Sequence, residues 1–443
     1  AIDNILKIST TALVNGEIVP LTDEMRDEYL KISEQMSNEA LRVLGAAFKN
    51  TDEIIEPEDM EKDLTVIGIV GMIDPPRLEV KDSIREAKMA GITPVMITGD
   101  HKNTAMAIAK ELGIAESMEE GITGFEIDQL SDEEFSKNIN KYKVFARVSP
   151  EHKVKIVKAY KSHDNIVSMT GDGVNDAPSL KNADIGVAMG ITGTDVSKAA
   201  SDMILTDDNF TTIVHAIEEG RNIYNNIKKS VVFLLSCNLG EVISILMSVL
   251  FYWPIPLLPT HILWVNLITD SLPAIALGVD TNDKDVMKQK PRDPKESFFA
   301  GGTAFRAIVG GTLIGTLTLV AFYLGLNENG YTLNSNNTPE TVLNYARTMA
   351  FVVLATSQLF YSLSIRSNTK SIFQVGIFTN KHLIMAIVGG FILQLGVVSI
   401  PFFANIFKLQ NLSLMDWGLV IFLSLIPLIV NELLKIFLRR TKK

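Results

Sequence analysis

The chain has 443 residues, more than one ordinary domain holds, and 47% of them are hydrophobic while 21% are charged. Its mean hydropathy of +0.21 is high for a water-soluble protein, and its formal charge of −10 argues against a general nucleic-acid binder. Cys237 is the one cysteine, which excludes an internal disulfide, and its apolar neighbours mark it as a buried thiol.

In chain order, residues 1–62 read as mixed helix and turn, with Leu41–Phe48 as a short candidate strand. The chain opens at Ala1, inside ordinary folded sequence and without a secretory signal pattern, so an upstream part is expected. From residue 63 to 208, short β-branched or apolar runs alternate with helix-period segments. The runs are Thr65–Met72, Thr93–Thr98, Val144–Arg147, Ile166–Thr170, Ile185–Met189 and Met203–Thr206. The helical segments include Val80–Ala90, Asn103–Leu112 and Glu151–Ala159. This alternation predicts an α/β fold with a parallel sheet and crossover helices, its ligands at the carboxyl ends of the strands. Residues 209–229 read as a polar stalk helix running without a breaker into an apolar stretch.

Residues 230–443 carry apolar runs near 230–252, 257–279, 307–326, 348–363, 383–403 and 414–436, which predict a bundle of six transmembrane helices. Lys284, Lys288, Lys290, Arg292 and Lys295 follow the second run, and Arg366, Lys370 and Lys381 follow the fourth. The C-terminus carries Arg439, Arg440, Lys442 and Lys443, whereas the alternate loops 253–256 and 327–344 are poor in cations. The positive-inside bias therefore places these basic loops, the C-terminus and the soluble domain in the cytoplasm.

Residues 169–178 read Met-Thr-Gly-Asp-Gly-Val-Asn-Asp-Ala-Pro after an apolar strand. Asp172 and Asp176 lie four apart among glycines and an amide, a pattern suited to magnesium and its hard oxygen ligands. The string resembles the hinge motif of P-type ATPases, members of the haloacid-dehalogenase superfamily. That resemblance implies a Rossmann-like phosphorylation domain in which Asp172 binds Mg2+, supported by Asn175 and Asp176. Thr98-Gly99-Asp100 resembles the family's T-G-D motif, whose threonine contacts the transferred phosphoryl group, and Lys153 resembles the lysine that neutralises its oxygens. Asp74-Pro75-Pro76-Arg77 resembles a loop near the nucleotide, and Arg42 resembles a nucleotide-contacting arginine of the neighbouring domain. By the same likeness residues 1–62 end a nucleotide-binding domain, and ATP is the expected cofactor. The family's nucleophile is the aspartate of D-K-T-G-T, a string that does not occur here. This stretch alone is therefore expected to be inactive. The nucleotide-binding, actuator and first four membrane segments of the same pump are its expected partners.

Within the apolar runs, Asn238 and Glu241 lie three apart, and Asn266, Thr269 and Asp270 share a second helical face. Charged and amide side chains inside such helices are costly and usually functional. An all-oxygen set suits a hard cation, and six to eight oxygens suit calcium, though manganese or sodium remains open. Pro273 is expected to interrupt the helix and free a backbone carbonyl. Residues 237–241 and 264–270 resemble the fifth and sixth helices of sarcoplasmic-reticulum-type calcium pumps. The likeness implies an ATP-driven calcium pump in a lipid bilayer, in the cell membrane. Gln358 falls where two-site pumps carry a glutamate, so one calcium site is expected rather than two. A membrane protein that keeps the fold without catalysis is the alternative from another class.

Overall fold

The computed structural model describes residues 2–39, 41–51, 56, 59–72, 77–283, 285–335 and 337–441. Internal contacts divide the chain into two units, Ala1–Glu218 with Asp285–Pro294, and Glu219–Lys284 with Lys295–Lys443.

The first unit opens with α1 (Ile2–Lys7), β1 (Ser9–Val14) and β2 (Glu17–Pro20), then α2 (Asp23–Asn38), β3 (Arg42–Phe48) and β4 (Leu64–Met72). β1 and β2 form an antiparallel hairpin in which Val14 pairs with Glu17. Asn15 and Gly16 close it with φ of 52° and 89°, the two-residue turn whose twist suits the flanking strands. The Thr22 hydroxyl caps α2 by accepting from the Met25 amide at 3.4 Å. β4 pairs in parallel with β1 and antiparallel with β3, so the sheet order is β2-β1-β4-β3. Ile2, Leu6, Ala12, Leu21 and Val66 fill the space beneath. The expected helix-and-turn character of this stretch thus gives way to a sheet. The strand at 65–72 joins that sheet rather than the strands that follow it.

Next come α3 (Leu78–Met89), β5 (Met96–Ile97), α4 (Lys102–Leu112), β6 (Gly121–Thr123), α5 (Gly124–Asp128), α6 (Asp132–Asn138) and β7 (Val144–Ala146). α7 (Pro150–Lys161), β8 (Ser168–Gly171), α8 (Ala177–Asn182), β9 (Ile185–Met189), α9 (Asp195–Ala200) and β10 (Met203–Leu205) complete the alternation. All strand pairs here are parallel, as the pattern predicts, but they form two three-stranded sheets, β5-β7-β6 and β10-β9-β8. β5 and β8 are therefore edges. Ile97 of β5 packs against the cluster formed by Val157 of α7, Met169 of β8 and Leu180 of α8, so the two sheets share a core without a shared ladder. β6 is a strand that the sequence pattern does not reveal.

Helix ends in this unit follow from local chemistry. α4 stops at Gly113, whose φ of 76° suits glycine. α7 starts with Ser149 as cap and Pro150 in its first turn. Between these helices, the Glu116 amide and then the Lys143 ammonium hold the Glu120 carboxyl down to about 2, against the opposing effect of burial. The folded value lies below the ordinary 4.5, so its stabilisation is complete above 4.5 and is lost as pH falls towards about 2. Glu120→Gln should lower the melting temperature at neutral pH, and the gap to the parent should close through that acid window.

α10 (Phe210–Leu250) is one unbroken 41-residue helix that begins in the first unit and continues into the second. The second unit adds α11 (Pro259–Trp264), a π-helical segment over Val265–Asp270, α12 (Ser271–Gly278), α13 (Thr303–Glu328) and α14 (Glu340–Ser364). α15 (Ile372–Val375), α16 (Lys381–Ser399), α17 (Pro401–Phe407) and α18 (Leu414–Thr441) complete it. The run at 383–403 is broken between α16 and α17, because Pro401 cannot donate to the preceding turn. α10 and α13 meet through glycines. A Cβ on Gly311 would lie 2.8 Å from the Ser236 carbonyl oxygen, and one on Gly315 would lie 2.7 Å from that of Gly240.

Among the described residues, five helical stretches are long and apolar enough to cross a membrane. They are Phe210–Leu250, Pro259–Gly278, Thr303–Glu328, Lys381–Ser399 and Leu414–Phe437. The predicted sixth, at 348–363, forms α14 but is not among them. It lies at the centre of the unit, with Met349 through Gln358 fully buried, and it carries Thr356, Ser357 and Gln358.

At one end of this unit, buried ions join four segments. Asp280 accepts from Arg366 through Nε at 3.1 Å and Nη2 at 2.8 Å, from Asn380 at 3.0 Å and from Lys229 at 3.4 Å. Arg366 and Asp280 are 4% and 5% exposed, so neither can turn to water. Arg366→Met should leave the Asp280 carboxylate with only Lys229 and Asn380 and cost about 3–5 kcal/mol, whereas joint replacement of both by leucine should recover only part of it, because Lys229 then loses its carboxylate. Thermal unfolding of the parent and the two variants in the same detergent checks this.

Candidate functional site

Two constellations of polar side chains stand out, one in each unit. In the first unit, β8 ends at Gly171, and a short turn over Val174–Asp176 leads into α8. A Cβ on Gly171 would come within 2.5 Å of the Asp176 Cβ, so only glycine lets Asp176 fold back beneath the strand end. There Asp176 Oδ2 accepts from the Asp172 and Gly173 amides at 3.2 Å each, and Oδ1 accepts from Lys153 Nζ at 2.6 Å. Burial pushes the Asp176 carboxyl up, but the Lys153 ammonium and the amides outweigh it and hold it below its ordinary value.

The Asp172 carboxylate is exposed and accepts no hydrogen bond among the described residues. Its backbone is fixed, because its carbonyl accepts from the Thr194 amide at 2.8 Å and the Ser197 hydroxyl at 3.0 Å. The arrangement thus separates two acids. Asp176 organises the turn and orients the lysine, while Asp172 presents free oxygens to solvent. Those oxygens suit a magnesium ion that keeps several waters. Asn175 is exposed on the same turn.

Thr98 follows β5, and its amide donates to the Phe145 carbonyl at 2.9 Å. Its hydroxyl donates to Asp100 Oδ2 at 3.0 Å and accepts from the Asp100 amide at 3.1 Å, which shapes the turn around the exposed Gly99. β5 and β8 share the core around Val157, Met169 and Leu180 through Ile97, although no hydrogen bond joins the two groups among the described residues. His101 caps α4 by accepting from the Asn103 amide at 3.3 Å. Arg42 is exposed and pairs in register with Met72, the last residue of β4. Asp74 lies outside the described residues. Arg77 begins α3 and donates to the Asp208 carbonyl at 3.4 Å.

In the second unit, Glu241, Asn266, Thr269, Asp270 and Gln358 converge from α10, the π-helical segment and α14. The Asn266 amide donates to Glu241 Oε2 at 3.1 Å, and the Thr269 hydroxyl donates to Gln358 Oε1 at 3.2 Å. Asp270 is fully buried, beside the Cys237 thiol. Both Asp270 carboxylate oxygens and Glu241 Oε1 are buried without a hydrogen-bond partner. Buried carboxylates left this way cost several kcal/mol each, and a bound cation offsets that cost. Thr356 Oγ1 is likewise buried and unpartnered, and sequence reasoning passed over it.

Asn238 stands apart. It is exposed, and its amide returns to the Leu234 carbonyl of its own helix at 2.8 Å. The effect of Pro273 also differs from expectation. α12 continues through the proline, and the helix widens one turn earlier, over Val265–Asp270. In that widened turn the Ser271 hydroxyl donates to the Asn266 carbonyl at 2.7 Å.

Two family models match the chain, "P-type ATPase, cytoplasmic domain N" over residues 1–79 and "Cation transporting ATPase, C-terminus" over residues 254–437. The chain belongs to the cation-transporting P-type ATPases. It is 57% identical to calcium-transporting ATPase 1 of Bacillus cereus over 98% of its own length and 50% of that protein's. It is 45% identical to a calcium-transporting ATPase of Bacillus subtilis, over 96% of the chain and 47% of the relative. It is 39% identical to the human calcium-transporting ATPase type 2C member 1, over 98% and 45% respectively. The chain therefore spans about half the length of the curated relatives it matches.

Proposed function

We propose that this chain supplies the magnesium and phosphate side of the catalytic site, and most of the ion site, of an ATP-driven calcium pump. The observation that carries the reading is the convergence of Glu241 and Asp270, with three unpartnered oxygens, inside apolar helices. The relatives named as calcium-transporting ATPases favour calcium over manganese or sodium. Glu241, Asn266, Thr269, Asp270 and Gln358 would hold the transported ion, and Asn238 would join them only from its exposed position. Gln358 offers an oxygen without charge, so one calcium per cycle is the stoichiometry proposed.

In the first unit, Asp172 would hold Mg2+, which supplies charge neutralisation for phosphoryl transfer when bound. Lys153 and Thr98 would bind the phosphoryl oxygens, with Gly99 and Asp100 shaping the turn, Asn175 supporting the metal side and Asp176 orienting the lysine. Arg42, Asp74 and Arg77 would line the approach of ATP. β5 and β8 each keep an unpaired edge beside these groups, and an unpaired edge is a template for another strand. A strand carrying the aspartyl nucleophile would pair there in the complete pump, completing the haloacid-dehalogenase-like sheet. α14 is proposed as a sixth spanning helix, with the basic loops and the first unit in the cytoplasm. α10, continuous from one unit into the next, would be the mechanical link.

The test is the metal dependence of phosphorylation by ATP in the complete pump. Calcium alone should activate acid-stable labelling, and manganese or sodium activating it equally well would overturn the assignment of the ion. Acid-stable labelling of residues 1–443 expressed by themselves would overturn the assignment of the nucleophile to another segment.

A further inference from the structure

A cavity of about 270 Å³ lies in the second unit, away from the ion site, between the start of α13 and the ends of α14 and α18. A single buried water needs only about 10–15 Å³, so the space suits a much larger group. Its lining is amphipathic. Arg306, Lys435, Asn368 and Asn431 supply cations and amides, while Phe305 and Phe437 stand at its apolar rim.

The charges do not cancel. Lys435 is buried and paired with Glu432, which also accepts from the Ile372 amide at 3.1 Å. Arg306 is half-buried, with no carboxylate partner among the described residues. The cavity therefore presents one uncompensated guanidinium, a fork of donors that matches phosphate oxygens. Phe305 and Phe437 are 57% and 67% exposed on spanning helices, where acyl chains would cover them. A largely apolar chamber that holds one unneutralised cation, opening beside apolar surface in a spanning helix, fits an anionic amphiphile better than a free anion. Basic pockets between membrane helices on the cytoplasmic side recognise anionic headgroups by this combination.

We propose that this cavity binds the phosphate of an anionic glycerophospholipid, with the acyl chains along Phe305 and Phe437. Arg306 receives the phosphate, Asn368 and Asn431 serve the glycerol and headgroup oxygens, and the Lys435–Glu432 pair holds the wall. The basic loops that follow α12 and α14 place this lipid in the cytoplasmic leaflet under the positive-inside reading.

The complete pump, purified in a neutral detergent, should be offered phosphatidylglycerol or phosphatidylcholine of the same acyl chains and its bound lipid counted by native mass spectrometry. Phosphatidylglycerol should be retained about fivefold more, the preference expected of one cation near an anionic phosphate. Arg306→Gln should abolish the preference, and Lys408→Gln, in an exposed ion pair at the other end of the bundle, should keep it. Hydrogen–deuterium exchange of the parent protein reads the same site without mutation. Phosphatidylglycerol should protect amides over 303–309 and 431–437. Equal retention of the two lipids, an Arg306→Gln variant that keeps the preference, or protection elsewhere would each overturn the proposal. The same protection produced by glycerol 3-phosphate or inorganic phosphate alone would overturn the lipid as occupant.

Discussion

Asp270→Asn in the complete pump should abolish activation of ATP-dependent phosphorylation at calcium concentrations that saturate the parent. Phosphorylation by inorganic phosphate in the absence of calcium should survive. The argument rests on burial. Asp270 is fully enclosed, and neither carboxylate oxygen has a hydrogen-bond partner to share its charge. A divalent cation bound there would be the group that satisfies it. Removing one partner of such a buried pair costs about 2–5 kcal/mol, which at about 1.4 kcal/mol per tenfold is about thirty- to four-thousandfold in apparent calcium affinity. Glu241→Gln should act in the same direction, since Oε1 is equally unpartnered. Asn238→Ala should cost less, because its amide is satisfied by its own helix. A calcium titration of steady-state phosphoenzyme in the three variants is the measurement. An unchanged midpoint in Asp270→Asn would remove that residue from the ion site.

Lys153→Ala should slow phosphoryl transfer by about 10²–10³-fold, the usual effect of deleting one donor to a developing oxyanion. It should slow phosphorylation from ATP and from inorganic phosphate alike, which separates it from the ion-site variants. Lys153 is also the cation that stabilises the Asp176 carboxylate at 2.6 Å. Its removal leaves a 5%-exposed carboxylate held only by two amides, so thermal stability should fall as well. The Asp176→Asn variant and the double variant complete a cycle in which the two stability losses should be clearly less than additive. Additive losses would mean that the pair makes no energetic contribution of its own.

The legible parts of this chain were those whose local chemistry and tertiary role agree. The 169–178 string announced its turn because glycine at 171 and aspartate at 176 are what the fold-back requires, and the helices around it began and ended close to their caps. The buried acids Glu241 and Asp270 were legible because nothing apolar explains them. The N-terminal hairpin had a signal that was passed over: Asn15-Gly16, flanked by Val14 and Glu17, is the strongest short-range mark of a two-residue turn. The placing of 65–72 in the first sheet had none, because pairing with β1 lies more than 50 residues away and periodicity is blind to it. The exposure of Asn238 was hidden for a related reason. A three-residue spacing puts two side chains on one helical face but does not say how much of that face its neighbours cover.

The character of α14 bears on how the membrane unit is made. A segment emerging during synthesis partitions into lipid by its own hydropathy, and polar side chains at its centre weaken that step. α14 carries Thr356, Ser357 and Gln358 in its fully buried stretch, and it is not among the helices long and apolar enough to cross a membrane. Its closest packing is against the apolar α13, where a Cβ on Gly325 would lie 2.7 Å from the Ala346 Cα. Under the six-helix reading, α14 therefore enters the bilayer as the second arm of a helical hairpin, carried by α13 and not by its own affinity for lipid. On the proposed reading of α14 as an ion-site helix, the cost of its uncharged but polar side chains falls on biogenesis, at the moment of insertion, before any ion is bound.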